Sequence, residues 1–144
     1  MINIEQEFSD FPIITLQKGD KLIVQGEKPG CLFFLIDGDV SVIKDDVEVA
    51  LSDSIGAVFG EMSVLLGAKS SASVVCVNES RFYKIENPKD FLCKNPKVMW
   101  HISQVLSLRL SNISSYLVDV KHMLDGETHQ RLFRGALKIL REQN

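Results

Sequence analysis

The sequence predicts a mainly β domain closed by helices (an α+β fold), and two observations carry that prediction. From Phe11 to Tyr83, short apolar runs are broken by Gly, Asp and Pro about every eight to twelve residues, the spacing of strands in a sandwich, barrel or jelly roll. After Pro88 the period changes: Leu106, Leu110, Ile113, Leu117, Val120 and Leu124 follow at intervals of 4, 3, 4, 3 and 4, which is a heptad seam on one long helix.

The elements follow in order. The first ten residues mix acidic and amide side chains with Ile2, Ile4 and Phe8, as a short amphipathic helix would. Ile13–Leu16 is a strand before the turn Lys18-Gly19-Asp20, and Lys21–Val24 is a strand before the glycine turn at 26–30. Cys31–Ile36 runs into Asp37-Gly38-Asp39, and Val40–Ile43 runs into the hairpin Lys44-Asp45-Asp46, where Asp serves turn geometry. Val47, Val49 and Leu51 alternate with polar neighbours, as on a half-buried strand. Ala72–Val77 and Arg81–Ile85 supply two more. Asp90–Lys94 reads as a short helix ended by Asn95-Pro96.

The long helix is expected over about 97–124. Its second apolar flank, Ile102, Val105, Tyr116 and Met123, is expected to cover the β-domain while the seam meets another helix. Phe91 and Trp100 are expected to pack between helix and sheet. Asp125-Gly126 breaks the helix, and Thr128 opens a final one carrying Leu132, Phe133, Leu137 and Leu140. The organisation is therefore 1–124 for the domain with its long helix and 125–144 for a short helical extension.

Composition excludes several classes of function. The 144 residues, 45% hydrophobic and 24% charged, suit a single globular core. No apolar run approaches the length needed to cross a bilayer, and the N-terminus lacks the basic and apolar regions of a signal peptide. Cys31, Cys76 and Cys93 are odd in number and form no CxxC pattern, which fits reduced thiols in a cytoplasmic protein. Residues 1–90 carry eight Lys/Arg against fifteen Asp/Glu, and 91–144 carry eight against four. That asymmetry can steer a partner or meet a second copy, but it is too weak for duplex DNA.

Catalysis finds no support. His101 and His122 stand 21 residues apart on one helix, about 30 Å, so with His129 they form no metal cluster. Residues 11–85 hold no histidine at all, which excludes a jelly-roll metal triad, and no GxSxG elbow exists. No metal or other cofactor is expected.

One stretch does suggest chemistry. Gly56 and Gly60 allow a tight turn with inward-pointing N–H groups, and Glu61–Leu66 is long enough for a turn or two of helix. Glu61 at its start suits a sugar hydroxyl, accepting a charge-assisted hydrogen bond. By itself a glycine turn before a helix is a weak signal.

The ordered residues Gly56-x-x-Phe59-Gly60-Glu61-Met62-Ser63-x-Leu65, then Ser71-Ala72-Ser73-Val74, resemble the phosphate-binding cassette of the cyclic nucleotide-binding domain. That family includes bacterial cAMP receptor proteins, kinase regulatory subunits and cyclic-nucleotide-gated channels. The likeness extends upstream through Gly19-Asp20, Leu22-Ile23, Gly26, Phe34-Leu35-Ile36, Gly38, Val40 and Val42, and downstream to Phe91, Leu92 and the long helix. It implies an eight-stranded β-roll of jelly-roll type with flanking helices, followed by the long C-terminal helix and a short final helix.

The resemblance implies a ligand, cAMP or cGMP, held over Phe59, Gly60, Glu61 and Met62. Gly60 and the N–H groups after it would meet the phosphate, and Glu61 the ribose 2′-hydroxyl. Ser71 and Ala72 would face phosphate or base. The departure is Ser70, which occupies the slot of the family's phosphate-pairing arginine. Lys69 lies one position early, and adjacent side chains on a strand point to opposite faces.

The expected function is a non-enzymatic regulatory module that binds a cyclic nucleotide weakly. The alternative is a ligand-free version of the fold serving as a dimerisation or protein-interaction scaffold. Expected partners are a second copy through the seam of the long helix and a protein partner. Transcription factors of the family append a winged helix-turn-helix after that helix. Only about 20 residues follow Asp125 here, so direct DNA binding is not expected.

Overall fold

A computed structural model describes residues 2–124 and 127–142, the side chains of 127–129 excepted. The helix break at Asp125-Gly126 and the side chains of Thr128 and His129 lie outside the described residues.

Eight strands form two four-stranded antiparallel sheets, joining the flanking helices in the expected roll. They are β1 (Ile13–Leu16), β2 (Lys21–Ile23), β3 (Leu32–Asp37), β4 (Val40–Lys44), β5 (Val47–Ser52), β6 (Val58–Phe59), β7 (Ser73–Cys76) and β8 (Ser80–Ile85). One sheet has the order β1-β8-β3-β6 and the other β2-β7-β4-β5. Phe33, Leu35, Phe59 and Phe82 from the first meet Ile23, Val40, Val74 and Cys76 from the second in one core cluster. The first four residues of β3 are all buried, which explains its unbroken apolar sequence where the half-buried strands alternate. Sequence reading missed β6, because two residues inside a glycine-rich turn give no periodicity. Its register, Phe33↔Phe59 and Phe34↔Val58, is nevertheless what carries the chain out of the core at Gly60.

The turns are chemically specified. Asp45 and Asp46 both have positive φ, 49° and 63°, the geometry of a two-residue hairpin turn that Asp tolerates. Gln25 braces it, accepting from the Asp45 N–H at 3.0 Å and donating to its carboxylate at 2.7 Å. Strand β5 departs from expectation. Val47, Val49 and Leu51 are all more than half exposed, because β5 is the sheet's edge and its register shifts against β4 between Val42 and Ile43.

Helix α1 (Ile4–Phe8) is capped by the Asn3 side chain, which accepts from the Glu5 and Gln6 N–H groups, and buries Ile4 and Phe8. Phe8 stacks on Phe34 with centroids 4.3 Å apart and lies 5.7 Å from Phe91 on α3 (Pro88–Lys94). The N-terminal helix and α3 are thus held to β3 by one aromatic cluster. Phe91 packs as expected. Trp100 does not: it is 68% exposed. Helix α4 (Pro96–Met123) buries Val98 and Ile102, four residues apart on one face, and position 100 lies roughly opposite.

The chain forms two compact units, Met1–Ile102 and Ser103–Asn144, so this division falls inside α4 and not at its end. Of the flank expected to be covered, Ile102 is buried and Val105 half-buried, while Tyr116 and Met123 are exposed. In the second unit α4 and α5 (Glu127–Glu142) enclose a cleft of about 220 Å³ lined by Leu117, Val120, Leu124, Leu132, Phe133 and Ala136 among others. Lys121 caps the Phe133 ring at 4.7 Å. The upper seam residues Leu110 and Ile113 are 56% and 57% exposed. No helix among the described residues is long and apolar enough to cross a membrane.

Two outcomes test this packing. Phe34→Ala removes the ring beneath Phe8 and is expected to destabilise by about 3–5 kcal/mol in urea unfolding. Burial raises the Cys76 thiol above its ordinary pKa, while Cys93 is exposed. Iodoacetamide at mildly alkaline pH should therefore label Cys93 in the native protein and Cys76 only on unfolding.

Candidate functional site

Residues 56–72 leave the core at β6, turn at Gly60, form α2 (Glu61–Leu66) and rejoin the second sheet at β7. Gly60 stands in the left-handed region with φ 88° and ψ −3°. A Cβ there would lie 2.6 Å from the Cys31 carbonyl oxygen and 3.6 Å from Ile23 Cδ1. Both the conformation and the space therefore demand glycine. The elbow presses the backbone against the start of β3 and sets the next residue, Glu61, beneath the surface.

Glu61 is 4% exposed. It is the one buried carboxylate among the described residues, and no lysine or arginine among them is buried. Ser63, one turn on, is also buried, and its hydroxyl donates to the Ala68 carbonyl. The Ala68 N–H returns a bond to the Ser63 carbonyl at 3.1 Å. Gly67, left-handed at φ 62°, closes the helix with its N–H on the same carbonyl. Sequence reading gave Ser63 no role beyond the motif, yet this hydroxyl holds the returning chain against α2. A serine two positions after the buried glutamate, with glycine four further on, was the available signal.

The returning chain pairs with the turn before β3: the Ser70 N–H donates to the Glu27 carbonyl at 2.8 Å, and the Gly26 N–H to the Ser70 carbonyl at 2.9 Å. Lys69 and Ser71 are exposed while Ser70 is 9% exposed, so the alternation turns the serine inward and the lysine out. Ser70 Oγ is buried with no hydrogen-bond partner. Met62 is 48% exposed, Ala72 is half-buried, and Phe59 belongs to the core, edge-to-face with Phe82 at 6.4 Å. Glu61 and Ser70 thus stand as buried polar groups on the two arms of one loop. Phe59 supports that loop from below.

The remaining polar groups lie elsewhere. His101 on α4 has a buried Nε2 without a partner. Among the described residues no three His, Cys, Asp or Glu side chains are grouped to hold a metal ion. Arg81 pairs with Asp37 across the first sheet and holds that carboxyl below its usual range.

A family model described as the cyclic nucleotide-binding domain matches residues 13–92. Over 143 residues the chain is 27% identical to a cAMP-dependent protein kinase regulatory subunit of Yarrowia lipolytica, covering 94% of this chain and 30% of that protein. Among solved structures it is similar to the catabolite activator protein of Thermus thermophilus, with TM-score 0.70 and 23% identity over 82% of this chain and 58% of that one. It is also similar to a cyclic nucleotide-binding domain from Methylobacillus flagellatus, with TM-score 0.64 and 24% identity over 83% of this chain and 71% of that one. The chain therefore spans less than a third of the curated relative it matches.

The elbow is open to a direct test. Gly60→Ala forces a left-handed alanine against the Cys31 carbonyl and is expected to lower stability by about 1–3 kcal/mol. Ala68→Gly, in the same loop but exposed, should cost well under half of that in the same denaturation series.

Proposed function

The chain belongs to the cyclic nucleotide-binding domain family, and on that premise we propose that it is a non-enzymatic regulatory module whose sensor site is the loop from Phe59 to Ala72. The observation that carries the reading is the pairing of a glycine-enforced elbow with a buried glutamate. A carboxylate held at that elbow can accept a charge-assisted hydrogen bond from a sugar hydroxyl. Glu61 takes the ribose 2′-hydroxyl, and Gly60 with the N–H groups after it, Met62 included, faces the phosphate position. Ser71 and Ala72 border it, and Ser70 stands in the arginine's slot. One hydroxyl there replaces a charge-assisted pair that contributes about 1.5–3 kcal/mol. Affinity for cAMP or cGMP is accordingly about ten- to a hundredfold below that of a site with the arginine.

A second reading draws on α4. The bare upper seam at Leu110 and Ile113, continued by Leu106, Leu117, Val120 and Leu124, supports pairing of two copies along this helix, with or without a ligand. In the scaffold version the roll holds a partner protein and the loop stays empty.

Calorimetric titration separates the readings. Weak but saturable heats with cAMP or cGMP, tightened about ten- to a hundredfold in Ser70→Arg, are expected. Silence at millimolar ligand in both proteins would favour the scaffold. For the seam, sedimentation velocity of the wild type should show a dimer that Leu110→Glu with Ile113→Glu converts to monomer. A monomeric wild type at high concentration removes the pairing.

A further inference from the structure

We infer that α5 is a surface-binding helix and that its partner is an anionic lipid surface, on which its apolar face lies flat. The inference is independent of any ligand at the loop from Phe59 to Ala72. Its first support is the pattern of α5 itself. At about 100° per residue, Leu132, Phe133, Ala136, Leu137, Ile139 and Leu140 fall within an arc of about 160°. Arg131, Arg134, Lys138 and Arg141 fall on the opposite side, and all four are exposed.

Helix α4 covers this arc only in part. Among the described side chains of α5, only Phe133, under Lys121, and Ala136 are half-buried, where they line the cleft against α4. Leu132 and Ile139 are 69% and 59% exposed, and Leu137 and Leu140 are exposed as well. A helix this strongly two-sided normally buries its apolar stripe. Here most of the stripe meets water.

Charge decides what covers it. Helix α5 carries four Arg/Lys against Glu127 and Glu142, and Glu142 lies 3.8 Å from Lys138. A second α5 laid on the first would bring four more cations to the margin of the contact. An anionic lipid surface answers both faces at once. A helix of this kind sinks about 5–10 Å into the boundary between headgroups and acyl chains. The leucines then reach the acyl chains, and the long basic side chains reach lipid phosphates. The 16 residues of α5 span about 24 Å, too short to cross a bilayer. The attraction is local, because the whole chain carries a net charge of −3. Turning the full arc to lipid exchanges a half-made contact with α4 for a complete one.

The test is co-sedimentation of the whole chain with vesicles of phosphatidylcholine alone and of phosphatidylcholine with about 30% phosphatidylglycerol. Sedimentation velocity without lipid runs alongside. Binding to the mixed vesicles at least about tenfold stronger than to the neutral ones is expected, and it should weaken as salt is raised. Leu132→Glu with Ile139→Glu should abolish it, with helix content checked by circular dichroism. Arg134→Gln with Lys138→Gln should weaken it about tenfold or more. Should the glutamate pair melt α5, the glutamine pair and the salt dependence decide. No binding to the mixed vesicles, or equal binding to both kinds, overturns the inference. So does a dimer that Leu132→Glu with Ile139→Glu converts to monomer while the wild type stays off both kinds of vesicle, for the face then belongs to a second copy.

Discussion

The structure turns on the contact between the Gly60 backbone and the Cys31 carbonyl. Because no side chain fits between them, β6 can end against the start of β3 and the chain can reverse within a single residue. Glu61, the residue after that reversal, lies under the surface. The burial of Glu61, the helix that starts with it and the loop that returns to Ser70 all follow from one missing Cβ. The contact is short-range and steric, so no change in charge or solvent substitutes for it.

What surrounds the elbow keeps it rigid. Phe59 is locked in the core on one side, and on the other Ser63 bonds the returning chain at Ala68. The Ser70–Glu27 and Gly26–Ser70 backbone bonds then tie that chain to the turn between β2 and β3, and β7 carries it into the second sheet. The loop is therefore anchored to both sheets. A ligand held between Glu61 and Ser70 would bridge structures that the roll already fixes, with little ordering cost.

Legibility in the sequence followed periodicity. Strands β1, β3, β4, β7 and β8 could be read because each repeats a pattern over four or more residues, and α4 because its seam persists for almost three heptads. Strand β6 could not, being two residues long. The exposure of β5 escaped because alternation predicts a half-buried strand only where the register is unbroken, and here a bulge intervenes. Trp100 misled for a related reason: a large aromatic suggests burial, but its angular distance from Val98 and Ile102 decides. The loop of the candidate site was legible as a motif, and the elbow at Gly60 is what the structure adds to it. The inward turn of Ser70 followed from the alternation of an extended chain, although β7 itself begins only at Ser73. Its lack of a partner did not, since that depends on residues distant in sequence.

An unpaired hydroxyl in a folded protein is a cost, about 1–3 kcal/mol for a fully desolvated group. Alanine or valine at position 70 would avoid it, so the serine lowers the stability of the fold. A species that supplied the missing partner in the folded state alone would stabilise that state by RT ln(1 + [L]/Kd). The loop is joined to both sheets, and α4 buries Val98 and Ile102 within the first unit. A regulatory module needs a ligand that favours one arrangement over another. On the regulatory reading proposed above, an inward serine without a partner would provide such a difference in free energy where a fully satisfied apolar wall would not.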